Sequence, residues 1–287
     1  METVWRGMDQ ATLDREYNAR ASVPDYEAEA ARYVALSAAA RAALPVQADL
    51  VFDPASGCAL DWFPGAPGGP ALLWVHGGYW RALSKADQSL VAPGLVAEGA
   101  HVAVMDYSLA PAATLDTIVH QVRTAFAWVA AHAAARGADP GRLFAGGSSA
   151  GGHLVGMLLA PGWHGAYGVA ANALRGGLAL SGLFDLEPIR LSHVNAWMGL
   201  DAATARRLSP LHAIPLHPAP RLLAGYGGQE TAEFKRQTDD YAAAWAAAGH
   251  DAQVVPQPTR NHFDVVVALG EPDDPLCRTT AAFLQTR

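Results

Sequence analysis

The stretch "AGGSSAGGHL", residues 145–154, decides the fold, because it sets a serine between glycines where a predicted strand meets a predicted helix. The five residues 147–151 fit G-x-S-x-G, the pattern of a sharp turn that presents a nucleophilic serine. Centring the pattern on Ser149 puts glycine at both outer positions, whereas centring it on Ser148 leaves Ala150 where the last glycine belongs. A flexible loop would also tolerate these residues, but the strand before and the helix after them favour Ser149 as a nucleophile.

Strand-like and helix-like segments alternate from about residue 70 to the end of the chain, which predicts a mostly parallel sheet with helices on both faces. The short runs "VQADLVFD" and "CALDWFP" precede this part and predict a hairpin at the sheet edge. We therefore expect one α/β domain over residues 1–287. Residues 1–45 form a helical N-terminal segment in this prediction, and the proline-rich region 184–220 is an excursion from the sheet that contributes to a cap.

Composition and charge narrow the class of protein. The chain has 287 residues, is 51% hydrophobic and carries a formal charge of −7 without any Lys/Arg-rich run, so we expect no nucleic-acid or membrane partner. The N-terminus lacks the apolar core of a signal peptide, and Cys58 and Cys277 form no CxxC motif. These features predict a soluble cytoplasmic protein. The sequence does not decide whether the protein is a monomer or a homodimer.

A second glycine motif, "WVHGGYW" at residues 74–80, follows the strand that is predicted before the nucleophile strand. Acyl transfer builds up negative charge on the carbonyl oxygen, and preorganised backbone N–H groups stabilise that oxyanion. The N–H groups of Gly77 and Gly78 are candidates for this role. Ala150 supplies a third, because the residue after the nucleophile contributes to the oxyanion hole in this type of turn.

A serine nucleophile needs a general base, and the chain order Ser, acid, His selects His262. It lies in "PTRNHFDVV", just past the last predicted strand, "DAQVVPQ". His250 precedes that strand at a helix end, and His76 belongs to the glycine turn. We therefore predict His262 as the base.

The carboxylate that orients the base has two candidates. Glu230 follows the predicted strand "RLLAGYG", where the acid is expected, and Asp185 follows the preceding strand "LALSGLF". Asp264 is too near His262 along the chain to orient it easily. We favour Glu230 and keep Asp185 as the alternative, since both glutamate and aspartate occur in this role.

With these residues in place, the chain resembles the α/β-hydrolase superfamily, within it the hormone-sensitive-lipase-like esterases, and above all the arylformamidases (kynurenine formamidases). The resemblance is carried by short segments spread over most of the chain: "HGGYW" at 76–80, "DYSLAP" at 106–111, "SSAGGHL" at 148–154, "SGLFDLEPI" at 181–189, "ETAEFKRQ" at 230–237 and "NHFD" at 261–264. It implies a triad of Ser149, Glu230 and His262. Two departures stand out: the family usually has aspartate at position 230, and many members have histidine at position 148.

The resemblance implies hydrolysis of an N-formyl arylamine such as N-formylkynurenine, a step of tryptophan catabolism, without a metal or organic cofactor. A carboxylesterase for small acyl or aryl esters is the alternative, because the same triad serves both reactions. Aromatic residues near the motifs are candidates for stacking on the substrate ring: Tyr79, Trp80, Phe184 and Trp197. The N-terminal leader also resembles that of bacterial members, which adds Tyr17 and Asn18 as residues that close the pocket.

Overall fold

A computed structural model describes residues 3–216 and 219–286, and one eight-stranded sheet runs through its centre in the order β1-β2-β4-β3-β5-β6-β7-β8. Strand β2 pairs antiparallel with both β1 and β4, and the remaining neighbours pair in parallel. The predicted edge hairpin and the mostly parallel sheet are thereby confirmed. The strands are β1 Gln47–Asp53, β2 Cys58–Phe63, β3 Gly69–Val75, β4 His101–Met105, β5 Ala138–Ser148, β6 Leu174–Leu180, β7 Arg221–Gly227 and β8 Ala252–Gln257.

Helices cover the sheet and occupy each connection between successive strands from β3 to β8. The bounds of the α-helices are α1 Gln10–Glu16, α2 Tyr26–Ala43, α3 Lys85–Gln88, α4 Ala92–Ala97, α5 Leu115–His132, α6 Ala150–Leu159, α7 Glu187–Leu191, α8 Asn195–Met198, α9 Ala202–Arg207, α10 Ala232–Ala247, α11 Asp264–Val267 and α12 Pro275–Leu284. None of the helices in the described part of the chain is long and apolar enough to cross a bilayer.

Successive side chains of the central strand β3 belong to two different hydrophobic clusters, one on each face of the sheet. Leu73 and Val75 belong to a cluster that includes side chains of α5, α6 and α10, whereas Leu72 and Trp74 belong to a second cluster with α2, α4 and α12. Successive side chains of a strand point to opposite faces, so a fully buried strand needs apolar residues at every position. The continuous run "ALLWV" satisfies this requirement.

The excursion predicted at 184–220 contains α7, α8 and α9 and connects β6 to β7. The N-terminal segment packs beside it: Gln10 Nε2 donates to Leu191 O at 2.9 Å, and the His193 N–H donates to Asp14 Oδ1 at 2.6 Å. Both segments therefore meet above the edge of the sheet where the parallel strands end. In parallel α/β sheets, ligands bind at that carboxyl edge.

Candidate active site

Ser149 stands on the sharp turn between β5 and α6, with φ 58° and ψ −119°. The glycines around it are required by close backbone contacts. A Cβ added to Gly151 would lie 2.0 Å from Val75 O, and one on Gly147 would lie 2.6 Å from the carbonyl carbon of Gly151. The Ser149 N–H donates to Leu180 O at 2.8 Å, which helps to hold the strained residue in place. This is the geometry that G-x-S-x-G predicts.

The glycine turn after β3 lies directly against the nucleophile. A Cβ on Gly77 would come within 2.9 Å of Ser148 O and 3.3 Å of the Ser149 Cβ, and Gly78 has φ +92°. Ala150 is the first residue of α6, so its N–H has no acceptor within the helix. Gly77, Gly78 and Ala150, the three expected oxyanion donors, are therefore neighbours of Ser149 in space.

His76 and Tyr107 stabilise the glycine turn after β3. Tyr107 Oη donates to the carbonyl oxygens of His76 and Gly77, both at 3.0 Å, and the two rings stack with centroids 4.0 Å apart. His76 Nδ1 lies 2.9 Å from Gly77 O, and because a carbonyl only accepts, the proton is on Nδ1. Burial lowers the pKa of His76 to about 4, so the ring is neutral at ordinary pH. His76 thus stabilises the turn.

His262 and Glu230 form a buried pair next to Ser149. His262 Nδ1 donates to Glu230 Oε2 at 2.8 Å, and the other carboxylate oxygen accepts from Ser181 Oγ at 2.6 Å and from the Gly227 N–H at 2.5 Å. Because the ionised carboxylate only accepts, the proton lies on Nδ1 and Nε2 is left to accept one. The arrangement matches that of a histidine base held by its acid.

The alternative acid is placed elsewhere. Asp185 Oδ1 accepts the N–H of Glu187 at 3.1 Å, and its own backbone N–H donates to Gln237 Oε1 at 2.6 Å. The structure thus pairs His262 with Glu230 and gives Asp185 a local role at the start of the excursion.

A cavity of about 230 Å³ opens at this point, and Ser149 and His262 both line it. Four residues that the sequence nominated for substrate binding are also in its wall: Tyr17, Asn18, Tyr79 and Trp197. Among the described residues the Ser149 hydroxyl forms no hydrogen bond with His262; this bond is often long in an empty site and tightens when substrate binds. The predicted nucleophile, the predicted base and four of the six predicted substrate contacts thus share one space.

The other two nominated aromatic residues, Trp80 and Phe184, do not line the cavity. Both are fully buried in the core. Trp80 packs edge-on against His153 with centroids 5.2 Å apart, and Phe184 stacks on Tyr241 at 4.1 Å. Their expected role as substrate contacts is corrected by this placement: burying a large ring in the core is favourable, and only Tyr79 of the adjacent pair at 79 and 80 faces the cavity.

The N-terminal wall of the cavity is fastened to α10 by buried polar contacts. Tyr17 Oη donates to Glu233 Oε2 at 2.8 Å and accepts from Gln237 Nε2 at 2.9 Å, while its carbonyl accepts the Tyr79 hydroxyl at 2.5 Å. Burial and the neighbouring Glu233 carboxylate raise the pKa of Tyr17, so the phenol stays protonated. Residues near the start of the chain thereby form a fixed part of the site.

Several wall residues were not anticipated as substrate contacts from the sequence. They are Arg20, Tyr26, Tyr33, Arg81, Gln88, His193 and Phe263. Gln88 is almost completely buried, and its Oε1 accepts from Trp74 Nε1 at 3.1 Å. The long-range packing that brings these side chains together leaves no local pattern in the sequence. Within residues 3–216 and 219–286, no group of three or more His, Cys, Asp or Glu side chains is placed to hold a metal ion.

Comparison with known proteins agrees with this geometry. The BD-FAE family model matches residues 65–162, which span the glycine turn and the nucleophile turn. Kynurenine formamidase of Danio rerio is 28% identical over 278 residues, which are 92% of this chain and 93% of that protein.

Solved structures show the same fold. A Silicibacter sp. TM1040 protein superposes with a TM-score of 0.79 at 28% identity, over 96% of this chain and 99% of its own. An esterase of the archaeon Pyrobaculum calidifontis superposes with a TM-score of 0.74 at 18% identity, over 97% and 93%. The chain thus has the α/β-hydrolase fold, with kynurenine formamidases among its relatives in sequence and esterases among its relatives in fold.

Proposed function

We propose that the chain is a serine hydrolase that cleaves N-formyl arylamines, with N-formylkynurenine as the model substrate, to the arylamine and formate. The observation that carries this proposal is the buried His262–Glu230 pair beside Ser149 in a cavity with aromatic walls. The similarity to kynurenine formamidase over nearly the whole chain supports the choice of a formamide.

The first half of the reaction forms a covalent intermediate. Ser149 Oγ attacks the formyl carbon while His262 Nε2 takes the hydroxyl proton, and the Glu230 carboxylate stabilises the imidazolium through Nδ1. The oxyanion of the tetrahedral intermediate accepts hydrogen bonds from the N–H groups of the glycine turn and of Ala150. These donors are preorganised, because the turn is held by Tyr107 and by the close contact of Gly77 with Ser148.

The second half releases both products. His262 returns its proton to the arylamine nitrogen as the C–N bond breaks, which leaves a formyl ester on Ser149. A water molecule, deprotonated by His262, attacks this ester; the second tetrahedral intermediate collapses to formate, and the proton goes back to Ser149 Oγ. An arylamine is a better leaving group than an alkylamine, so a site of the esterase type suffices for this amide.

The walls of the cavity suit an aromatic leaving group. Tyr79 and Trp197 meet edge to face with centroids 6.2 Å apart, and Trp197 Nε1 donates to Tyr79 O at 3.2 Å. Two rings fixed in this way can contact a planar substrate without losing much side-chain entropy on binding. In this proposal the partner is a small molecule, the enzyme works in the cytoplasm within tryptophan catabolism, and the triad needs no metal or cofactor.

A carboxylesterase is the second candidate, and the site itself is the observation that favours it. The triad and the oxyanion turn act on any reactive acyl carbon, and the Pyrobaculum calidifontis esterase has the same fold. Only the leaving group distinguishes the two substrates.

Parallel assays decide between them. We expect formate release from N-formylkynurenine with a kcat/KM at least as large as that for 4-nitrophenyl acetate. A far larger value for the ester, with negligible formate release, would establish the esterase instead. Stoichiometric labelling by a fluorophosphonate that disappears in Ser149→Ala tests the shared serine chemistry, and no labelling of the wild-type chain would refute both candidates.

A further inference from the structure

Two arginine residues, Arg20 and Arg81, line the cavity. Arg20 belongs to the short 3₁₀ turn Ala19–Ser22 in the N-terminal wall, and Arg81 comes directly after the oxyanion turn. The backbone N–H of Arg81 donates to Gly78 O at 3.1 Å, so the position of this residue is tied to the turn that holds the oxyanion donors. Both arginines therefore border the cavity in which substrate would react.

Aromatic rings support both side chains without neutralising them. The Arg81 guanidinium lies 3.9 Å from the centroid of Trp197, and that of Arg20 lies 4.4 Å from the centroid of Tyr26. Stacking uses the face of the guanidinium plane and leaves the N–H groups at its edge free to donate. A stacked arginine thus presents a directed fork of donors at lower entropic cost than an unsupported one.

In the described part of the chain neither Arg20 nor Arg81 forms an ion pair, whereas Arg190, Arg207 and Arg236 all pair with acids. The wall residues within residues 3–216 and 219–286 include no aspartate or glutamate. The cavity therefore combines two unpaired permanent cations with no acidic side chain, a combination that favours an anionic ligand.

We propose that Arg20 and Arg81 form a subsite for a carboxylate on the substrate, so that the preferred substrates are aryl formamides with an anionic side chain. This inference rests on the proposed formamidase function and specifies its substrate class. Guanidinium and carboxylate groups match as paired hydrogen-bonding forks. The α-carboxylate of N-formylkynurenine fits this subsite, whereas its ammonium group meets no acidic side chain in the described wall.

The experiment compares N-formylkynurenine with N-formylkynuramine, which keeps the ring, the formamide and the ammonium group but lacks the carboxylate. We expect the wild-type enzyme to favour N-formylkynurenine in kcat/KM by about tenfold or more, as one or two charge-assisted hydrogen bonds would provide. The double variant Arg20→Gln/Arg81→Gln should lose that preference through a higher KM for the anionic substrate alone. Because Arg20 and Arg81 are exposed, raising the salt concentration should also weaken the preference of the wild-type enzyme for N-formylkynurenine.

Arg206→Gln is the matched control, since Arg206 is an exposed arginine outside the cavity wall and its substitution should leave the preference intact. Arg81→Lys keeps the positive charge and should retain part of the preference for the anionic formamide. The proposal is overturned if the wild-type enzyme treats the two formamides alike. It is also overturned if the double variant loses both activities equally, since that would mean the arginines only support the fold.

An ester pair separates this inference from the proposed function. 4-Ethylphenyl acetate and 3-(4-acetoxyphenyl)propanoate differ only by a carboxylate on the side chain of the leaving phenol. If neither formamide is hydrolysed, the formamidase function fails, but a preference for the anionic ester that disappears in the double variant would still establish the carboxylate subsite. If formamides are cleaved without such a preference, only the subsite fails.

Discussion

Glu230 lies in the turn before α10 and Glu233 in the first turn of that helix; each is only 4% exposed, yet their hydrogen-bond partners differ in kind. Glu230 accepts from the neutral donors of His262, Ser181 and Gly227. Glu233 instead forms a two-pronged ion pair with Arg236, with both contacts at 2.7 Å, and accepts from Tyr17 and Trp5.

The difference teaches that burial alone does not identify a catalytic carboxylate. A fixed guanidinium neutralises Glu233 at every ordinary pH, so its charge is used to fasten the N-terminal wall to α10. Among the described residues, Glu230 has no permanent cation as a hydrogen-bond partner, and in the proposed mechanism its charge is matched only when His262 takes a proton. The kind of hydrogen-bond partner, and not the degree of burial, therefore indicates the role of each glutamate.

The largest expected effect comes from Glu230→Gln. The amide would favour the wrong tautomer of His262, and we expect kcat/KM to fall by about 10³- to 10⁴-fold, while the thermal unfolding curve stays close to that of the wild type. Steady-state kinetics on N-formylkynurenine and 4-nitrophenyl acetate measure the loss. A decrease of less than tenfold on both substrates would remove Glu230 from the triad.

Glu233→Gln is the matched substitution one turn later and should act on stability. It removes the charge that balances Arg236, which is only partly compensated by Asp240 at 2.8 Å. We expect the free energy of unfolding to fall by about 1–3 kcal/mol, with kcat/KM reduced less than tenfold. Urea denaturation and the same assays test this. If Glu233→Gln were as inactive as Glu230→Gln, the contrast between the two glutamates would be broken.

Acid titration sharpens the comparison further. Burial alone would raise the pKa of Glu233, but the hydrogen bonds from Arg236 and Tyr17 outweigh it and hold the pKa below its ordinary value of 4.5. The folded state thus binds fewer protons here than the unfolded state, so this contribution to stability is complete above pH 4.5 and is lost as the pH falls further. The stability difference between wild type and Glu233→Gln should narrow below pH 4.5 in urea titrations. A constant gap down to pH 3 would contradict the ion-pair explanation.

The smallest effect is expected from Asp185→Asn. Its carboxylate accepts one backbone N–H, from Glu187, and does not touch His262. We expect kcat/KM to change by less than about threefold, because an asparagine oxygen can accept the same bond. A loss comparable to that of Glu230→Gln would reverse the assignment of the acid.

Much of this site was predictable from sequence because motif and topology constrain each other. Ser149, His262 and the glycine turn each follow a strand of a parallel sheet, and the carboxyl ends of such strands share one edge. The direction of individual side chains was not predictable: Trp80 and Phe184 belong to the same motifs, yet both pack into the core. The sequence did not single out Arg20 and Arg81, because their proposed role depends on their lack of an acidic partner among the described residues. That lack follows from the three-dimensional packing and leaves no pattern along the chain.

The fastening of Tyr17 to Glu233 has a consequence for the order in which activity arises during synthesis. The wall of the cavity is made by residues close to the beginning of the chain, but its anchors, Glu233 and Gln237, belong to α10. His262 follows later still. A nascent chain therefore carries the Ser149 turn long before it has either the proposed base or a closed pocket, so Ser149 has no general base until the segment around residue 262 has been synthesised.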